Sequence, residues 1–126
     1  MIKRNLHNIP YIPTSHGAGM KRVLIANEET ESKITQIAIT ELTHGTTIQE
    51  HVHPDMDEYF YIIKNEPNIS YAHCNDQHAN EAAMIVIINE TVHECAKDDI
   101  IYVPAGSRHR IEVFSDVTIM TIGVER

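Results

Sequence analysis

Short runs rich in β-branched and aromatic residues, each closed by a polar or turn-forming cluster, recur along almost the whole chain. The runs are 21–26, 33–42, 47–51, 59–64, 68–73, 84–89, 91–96, 100–103, 109–114 and 117–124. Clusters such as Asn27–Glu31, Pro54–Asp57, Lys97–Asp99 and Ala105–Arg108 separate them. Strands of this length and spacing predict an all-β sandwich or barrel. No segment keeps a helical period over twelve residues; Asn75–Ala83 has room for one helical turn. With 126 residues the chain is one domain, large enough to bury a core without a disulfide or a structural metal. Residues 1–19, punctuated by Pro10, Pro13, Gly17 and Gly19, read as an irregular N-terminal arm, and 20–126 as the barrel.

Charge and cysteine content exclude several classes. Eighteen acids against ten bases give a net charge of −8, which offers a phosphate backbone nothing to bind, so no nucleic acid is expected. No apolar run approaches the roughly 18 residues of a membrane helix, and the first residues lack the apolar core of a signal peptide. Two cysteines, Cys74 and Cys95, make no disulfide framework. Reduced thiols and a cytoplasmic location are the expectation.

Histidine is over-represented, with nine in the chain. Two of them, His51 and His53, stand two apart, and Glu58 follows five positions after His53. On a strand, residues two apart share a face, so both imidazoles can aim at one point. Pro54 should end that strand, and Asp55–Asp57 should turn the chain so that a hairpin brings Glu58 back. A second cluster runs Pro104-Ala105-Gly106-Ser107-Arg108-His109. A His-x-His pair alone is expected about 0.6 times by chance at this composition, but both clusters together less than about once in a thousand such chains. Nitrogen and oxygen donors in this number suit a divalent transition metal.

The two clusters, written Gly45-x5-His51-x-His53-x4-Glu58 and Asp98-x5-Pro104-x-Gly106-x2-His109, resemble the two motifs of the cupin superfamily. The resemblance covers about residues 35–124, with a longer than minimal inter-motif region at about 66–97. It implies a jelly-roll β-barrel (a double-stranded β-helix). It also implies one divalent metal, Fe, Mn, Zn, Ni or Co, held by His51, His53, Glu58 and His109. The chain departs from the pattern at three places: Asn65 and Asp98 stand for glycines, and Val113 for an asparagine. Asparagine and aspartate both tolerate a left-handed turn, so the turns are expected to survive.

Alternation along the strands predicts the pocket lining. Gln49 shares a face with the two histidines, Phe60 and Ile62 with Glu58, and Ile111 and Val113 with His109. Arg108 and Arg110 should point away. Tyr59 and Tyr61 fall on the face opposite Glu58, and Asp55 and Asp57 in a solvated turn. His7, His16, His44, His73, His78 and His93 lack ligand spacing and read as ordinary surface or strand positions. Cys74 and Cys95 read as small buried hydrophobes.

The resemblance implies a small polar ligand, sugar or oxo-acid, and isomerase, epimerase, lyase or dioxygenase chemistry; fold alone does not choose among these. A metal-dependent binding or sensing module without turnover is the alternative. A metal that only staples the barrel ranks last, because the chain is large enough to fold without one. A homodimer is expected, because Ile2, Leu6, Ile9, Tyr11 and Ile12 in the arm need a surface to cover them. That surface is either a partner or the edge of the chain's own barrel.

Overall fold

The computed structural model describes residues 1–66 and 82–126. The strand expected at 68–73, most of the helical turn expected at 75–83, and His73, Cys74 and His78 lie outside the described residues. Among the described residues there are ten strands: β1 (Ile12–Pro13), β2 (Met20–Ala26), β3 (Ile34–Leu42), β4 (Thr47–His51), β5 (Met56–Glu66), β6 (Met84–Ile88), β7 (Thr91–Cys95), β8 (Ile100–Val103), β9 (His109–Val113) and β10 (Asp116–Glu125). Helical structure among the described residues is limited to two short 3₁₀ turns, Leu6–Asn8 and Asn27–Glu29. No helix there is long and apolar enough to cross a membrane.

The strands form two antiparallel sheets, one of six in the order β1-β2-β3-β10-β5-β8 and one of four in the order β4-β9-β6-β7. Alternation explains the packing. On β10, Val117, Ile119, Thr121 and Gly123 are buried while their neighbours are half-exposed. The inner face of the larger sheet is apolar toward one end, where Leu42, Ile62, Val117 and Ile119 pack. Met84, Val86, Ile111 and Val113 face them from the smaller sheet. Toward the other end the interior turns polar, with Thr40, Glu58, His109 and Thr121 all buried. Burying polar groups costs free energy unless each finds a partner, so this end of the barrel is where a ligand is called for.

The arm folds back on its own chain. Ile12 pairs with Lys21 and Pro13 with Met20, which adds β1 to the edge of the larger sheet. Leu6 and Ile9 become half-buried, whereas Ile2, Tyr11 and Ile12 stay exposed. Gly19 makes the turn into β2 possible. It has φ of +74°, and a Cβ there would run into the Glu41 backbone carbonyl.

At the motif positions that depart from glycine, the two outcomes differ. Asp98 adopts φ of +71°, the left-handed turn expected of it. Asn65 does not turn: it sits inside β5, paired with Val117 of β10. The long pairing of β5 with β10 carries the strand on to Glu66, so the turn expected at 65 is absent.

Candidate metal centre

His51, His53, Glu58 and His109 converge, and one ligand atom from each lies within 4.8 Å of all the others. Ligands about 2.0–2.2 Å from a common ion are at most roughly 4.4 Å apart, so the cluster needs to contract by only a few tenths of an ångström. His109 is 1% exposed and Glu58 8%.

The route to this cluster differs from the hairpin expected from the sequence. His51 ends β4, but His53 lies beyond the strand, in the loop before Met56. Strands β4 and β5 do not pair; they belong to opposite sheets. The chain therefore crosses the barrel between His51 and Glu58, and the two ligands face each other from different walls. His109 joins from β9, where it pairs with His51. The Gly106 amide donates to the His53 carbonyl at 2.9 Å, tying the two motifs together at the backbone.

A β-bulge redirects β4. Ile48 pairs with Ile111 and His51 with His109, so three steps on β4 oppose two on β9. Ile48 and His51 thus both point inward although their parity differs. Gln49, expected in the pocket, is exposed; Ile48 takes its place. The bulge also frees the Gln49 carbonyl, which accepts a hydrogen bond from His51 Nδ1 at 2.8 Å.

His109 is oriented in the same way, its Nδ1 donating to the Ser107 carbonyl at 3.0 Å. In both rings the proton is then on Nδ1, and Nε2 carries a lone pair turned to the cluster. Glu58 Oε1 lies 3.1 Å from His53 Nε2 and 3.3 Å from His109 Nε2. Glu58 Oε1 and His109 Nε2 are both buried and have no hydrogen-bond partner. A lone pair facing a carboxylate oxygen repels it. The gap is satisfied only by a cation, either a proton or a metal ion. Burial disfavours the imidazolium at His109, but the Glu58 carboxylate and the Ser107 carbonyl outweigh it and hold its pKa above the ordinary value. At His53 burial prevails over the attraction of Glu58, and its pKa is lowered. The donor set therefore fits a divalent transition ion.

Several side chains outside the cluster hold it in place. Asp57, expected in a solvated turn, lies on β5 and accepts from the Ala105 amide at 2.8 Å and from Arg126 Nε at 3.0 Å. It thereby fixes the turn that delivers His109. Asn89 and Glu90 adopt left-handed conformations in the two-residue β6–β7 hairpin, at φ of 47° and 74°. Asn89 then grips Arg108: its amide donates to the Arg108 carbonyl at 2.8 Å, and its Oδ1 accepts from the Arg108 amide at 3.0 Å. The Arg108 and Arg110 side chains are exposed, as alternation predicts.

A cavity of about 90 Å³ adjoins the cluster. Phe60 and Ile111 line it, as expected, but Ile62 and Val113 do not; they are 0% and 2% exposed in the core at the apolar end. Alternation placed them on the correct face, and only their distance along the strand separates them from the cavity. Sequence reasoning missed His16, Lys21, Gln36, Thr40 and Thr121, all on the cavity wall. His16, read as an ordinary surface position, sits at the mouth with its ring 5.4 Å from that of His51. Burial, and then the neighbouring His51, lower its pKa. His7, His44 and His93 are exposed and away from the cluster. Cys95 is buried, and burial pushes its thiol up to about 11, which makes it inert.

No family model matches the chain. It is 26% identical over 100 residues to the tetracenomycin polyketide synthase protein TcmJ of Streptomyces glaucescens, across 79% of this chain and 56% of that protein. The chain thus spans about half the length of the curated relative it matches. Three solved structures align with nearly all of it. One is described as a predicted oxalate decarboxylase from Thermotoga maritima (TM-score 0.70, 18% identity, 100% of both chains). Another is ectoine synthase from P. lautus (TM-score 0.73, 13% identity, 99% of this chain and 78% of that one). The third is the cupin domain of Schizosaccharomyces pombe Cnp3 (TM-score 0.69, 13% identity, 99% and 74%). At these identities the likeness is one of fold, and the fold is that of the cupins.

Proposed function

We propose that this cupin-fold chain is a mononuclear metalloprotein. His51, His53, Glu58 and His109 hold one divalent transition ion, and a small polar molecule is bound and transformed in the adjoining cavity. The carrying observation is the pair of buried, unpartnered acceptors, Glu58 Oε1 and His109 Nε2, that face each other across the cluster. A divalent ion there supplies Lewis-acid polarisation of a substrate oxygen. The chain's own residues do the rest. The carbonyls of Gln49 and Ser107 hold the imidazole tautomers, Phe60 and Ile111 exclude water, and His16 offers an imidazole at the mouth for proton transfer. That imidazole favours an enzyme over a passive carrier. The reaction class is isomerisation, epimerisation, lyase or dioxygenase chemistry, and the location is the cytoplasm.

Elemental analysis of protein purified without chelator tests the metal directly. About one equivalent of a single transition metal is expected at neutral pH. The ion should leave as pH falls, because each ligating imidazole must be neutral to bind it. The raised pKa of His109 makes it a competitor for protons at higher pH than a free imidazole, so release begins there. Metal affinity unchanged from pH 7.5 down to about 4.5, measured with free metal near its dissociation constant, would contradict histidine ligation.

The protein also associates as a homodimer on this reading. Ile2, Tyr11, Ile12 and Met20 form exposed apolar surface on the arm and the strand it pairs with. Light scattering at micromolar concentration should give twice the 14.3 kDa chain mass. Because β1 pairs with its own β2, the arm would contribute surface and not an exchanged strand, and removing residues 1–13, which takes away Ile2, Tyr11 and Ile12, should weaken association. A monomeric mass for the intact chain would refute the dimer.

A further inference from the structure

The cavity wall carries a cation that the metal reading does not use. Lys21 is the second residue of β2, and its side chain lines the cavity together with Gln36, Thr40 and Thr121. Its Nζ donates to Gln36 Oε1 at 3.0 Å. A lysine ammonium has three protons to donate, so two remain. Among the described residues no carboxylate forms an ion pair with Lys21, although it is half-buried. A partly desolvated ammonium beside a cavity is costly to leave without a counter-charge. The chain as a whole is strongly acidic, at −8, so its long-range field repels anions. A local cation on the cavity wall opposes that field at short range.

Cavity size narrows the ligand further. Drug-sized ligand pockets run to roughly 300–1,000 Å³. This one, at about 90 Å³, holds a molecule of only a few heavy atoms, too little room for a whole sugar ring.

We propose that Lys21, steadied by Gln36, is the anchor for the carboxylate of a small oxo-acid whose other oxygens face the His51, His53, Glu58 and His109 cluster. The proposal rests on the metal reading for the second half of that contact and stands without it for the first. The Thr40 and Thr121 hydroxyls line the wall on the strands between, where they can donate to the ligand's remaining lone pairs. Lys21 is a binding residue here and needs to lose no proton.

Titration calorimetry on protein of measured metal content tests this, with pyruvate, oxalate, inorganic phosphate and hydroxyacetone as probes. Hydroxyacetone is close to pyruvate in shape but lacks the carboxylate. Pyruvate or oxalate should bind the wild type, and hydroxyacetone much more weakly. Lys21→Met should weaken the carboxylate probe about ten- to a hundredfold, the loss expected for a hydrogen bond to a charged group. Lys21→Arg should recover most of it, and metal content should be the same in all three proteins. Equal binding of pyruvate and hydroxyacetone would overturn the proposal, as would full affinity in Lys21→Met or failure of both carboxylates to bind. Phosphate binding more tightly than either carboxylate would overturn the choice of carboxylate. Protein that takes up no metal when it is supplied, yet still prefers pyruvate through Lys21, would uphold the anchor and refute the metal reading instead.

Discussion

Replacing His51 with alanine is expected to abolish stoichiometric metal. The imidazole is pre-aimed by the Gln49 carbonyl, and its loss leaves His53, Glu58 and His109 with an open side toward the cavity. Removing one of a few ligands costs far more than the 10–100-fold that follows from disturbing a ligand's outer partner. Occupancy by elemental analysis should therefore fall to background after dialysis, and with it any activity in the cavity. His51 is half-buried at the end of β4 and belongs to no apolar cluster, so the variant should still fold. Wild-type occupancy in a folded His51→Ala protein would show that the ion, if any, is held elsewhere. Metal added to the wild type should also raise its melting temperature, because an ion that binds only the folded state stabilises it by about 2.7 kcal/mol at a hundred times its dissociation constant. The alanine variant should lose that rise.

Ile62→Ala is expected to separate stability from ligand binding. Ile62 is fully buried at the apolar end, in contact with the cluster that includes Leu42, Val117 and Ile119. Truncating a buried isoleucine costs about 2–5 kcal/mol, through lost transfer free energy and the cavity left behind. In a chain of this length the melting temperature should fall by on the order of 10 °C. Metal content per folded molecule should stay at the wild-type level, because Ile62 lies outside the ligand cavity. If Ile62→Ala instead unloaded the metal without destabilising the fold, the division of the barrel into an apolar and a polar end would be wrong.

Some of this was legible in the chain. A strand repeats its side-chain direction every second residue, so alternation identified Phe60 and Ile111 as inward-facing without any knowledge of topology. The same rule turned Arg108 and Arg110 outward. Turn chemistry located Asp98, whose left-handed backbone is a local property of the residue. The type and spacing of the two clusters named four donors, because metal ligation demands particular side chains.

Other features depended on partners far away in sequence. Counting by twos assigned Gln49 to the pocket. It failed because the bulge in β4 is set by register against β9, some sixty residues on. Asn65 looked like a turn and became strand because β10 pairs with it. Asp57 looked solvated until the Ala105 amide and Arg126 reached it from the other end of the chain. Lys21, Gln36, Thr40, Thr121 and His16 carry no spacing relative to the motifs; Thr121 shares the inward parity of Val117 and Ile119, and Thr40 that of Leu42, but parity alone does not place them beside the ligands. They line the cavity because β2, β3 and β10 lie side by side in one sheet, with the loop before β2 at the mouth. The residue types and local periodicities determined which groups could hold an ion and which strands would form. Long-range strand pairing decided what surrounds those groups, because it sets both the register of each strand and the face that is closed away from water.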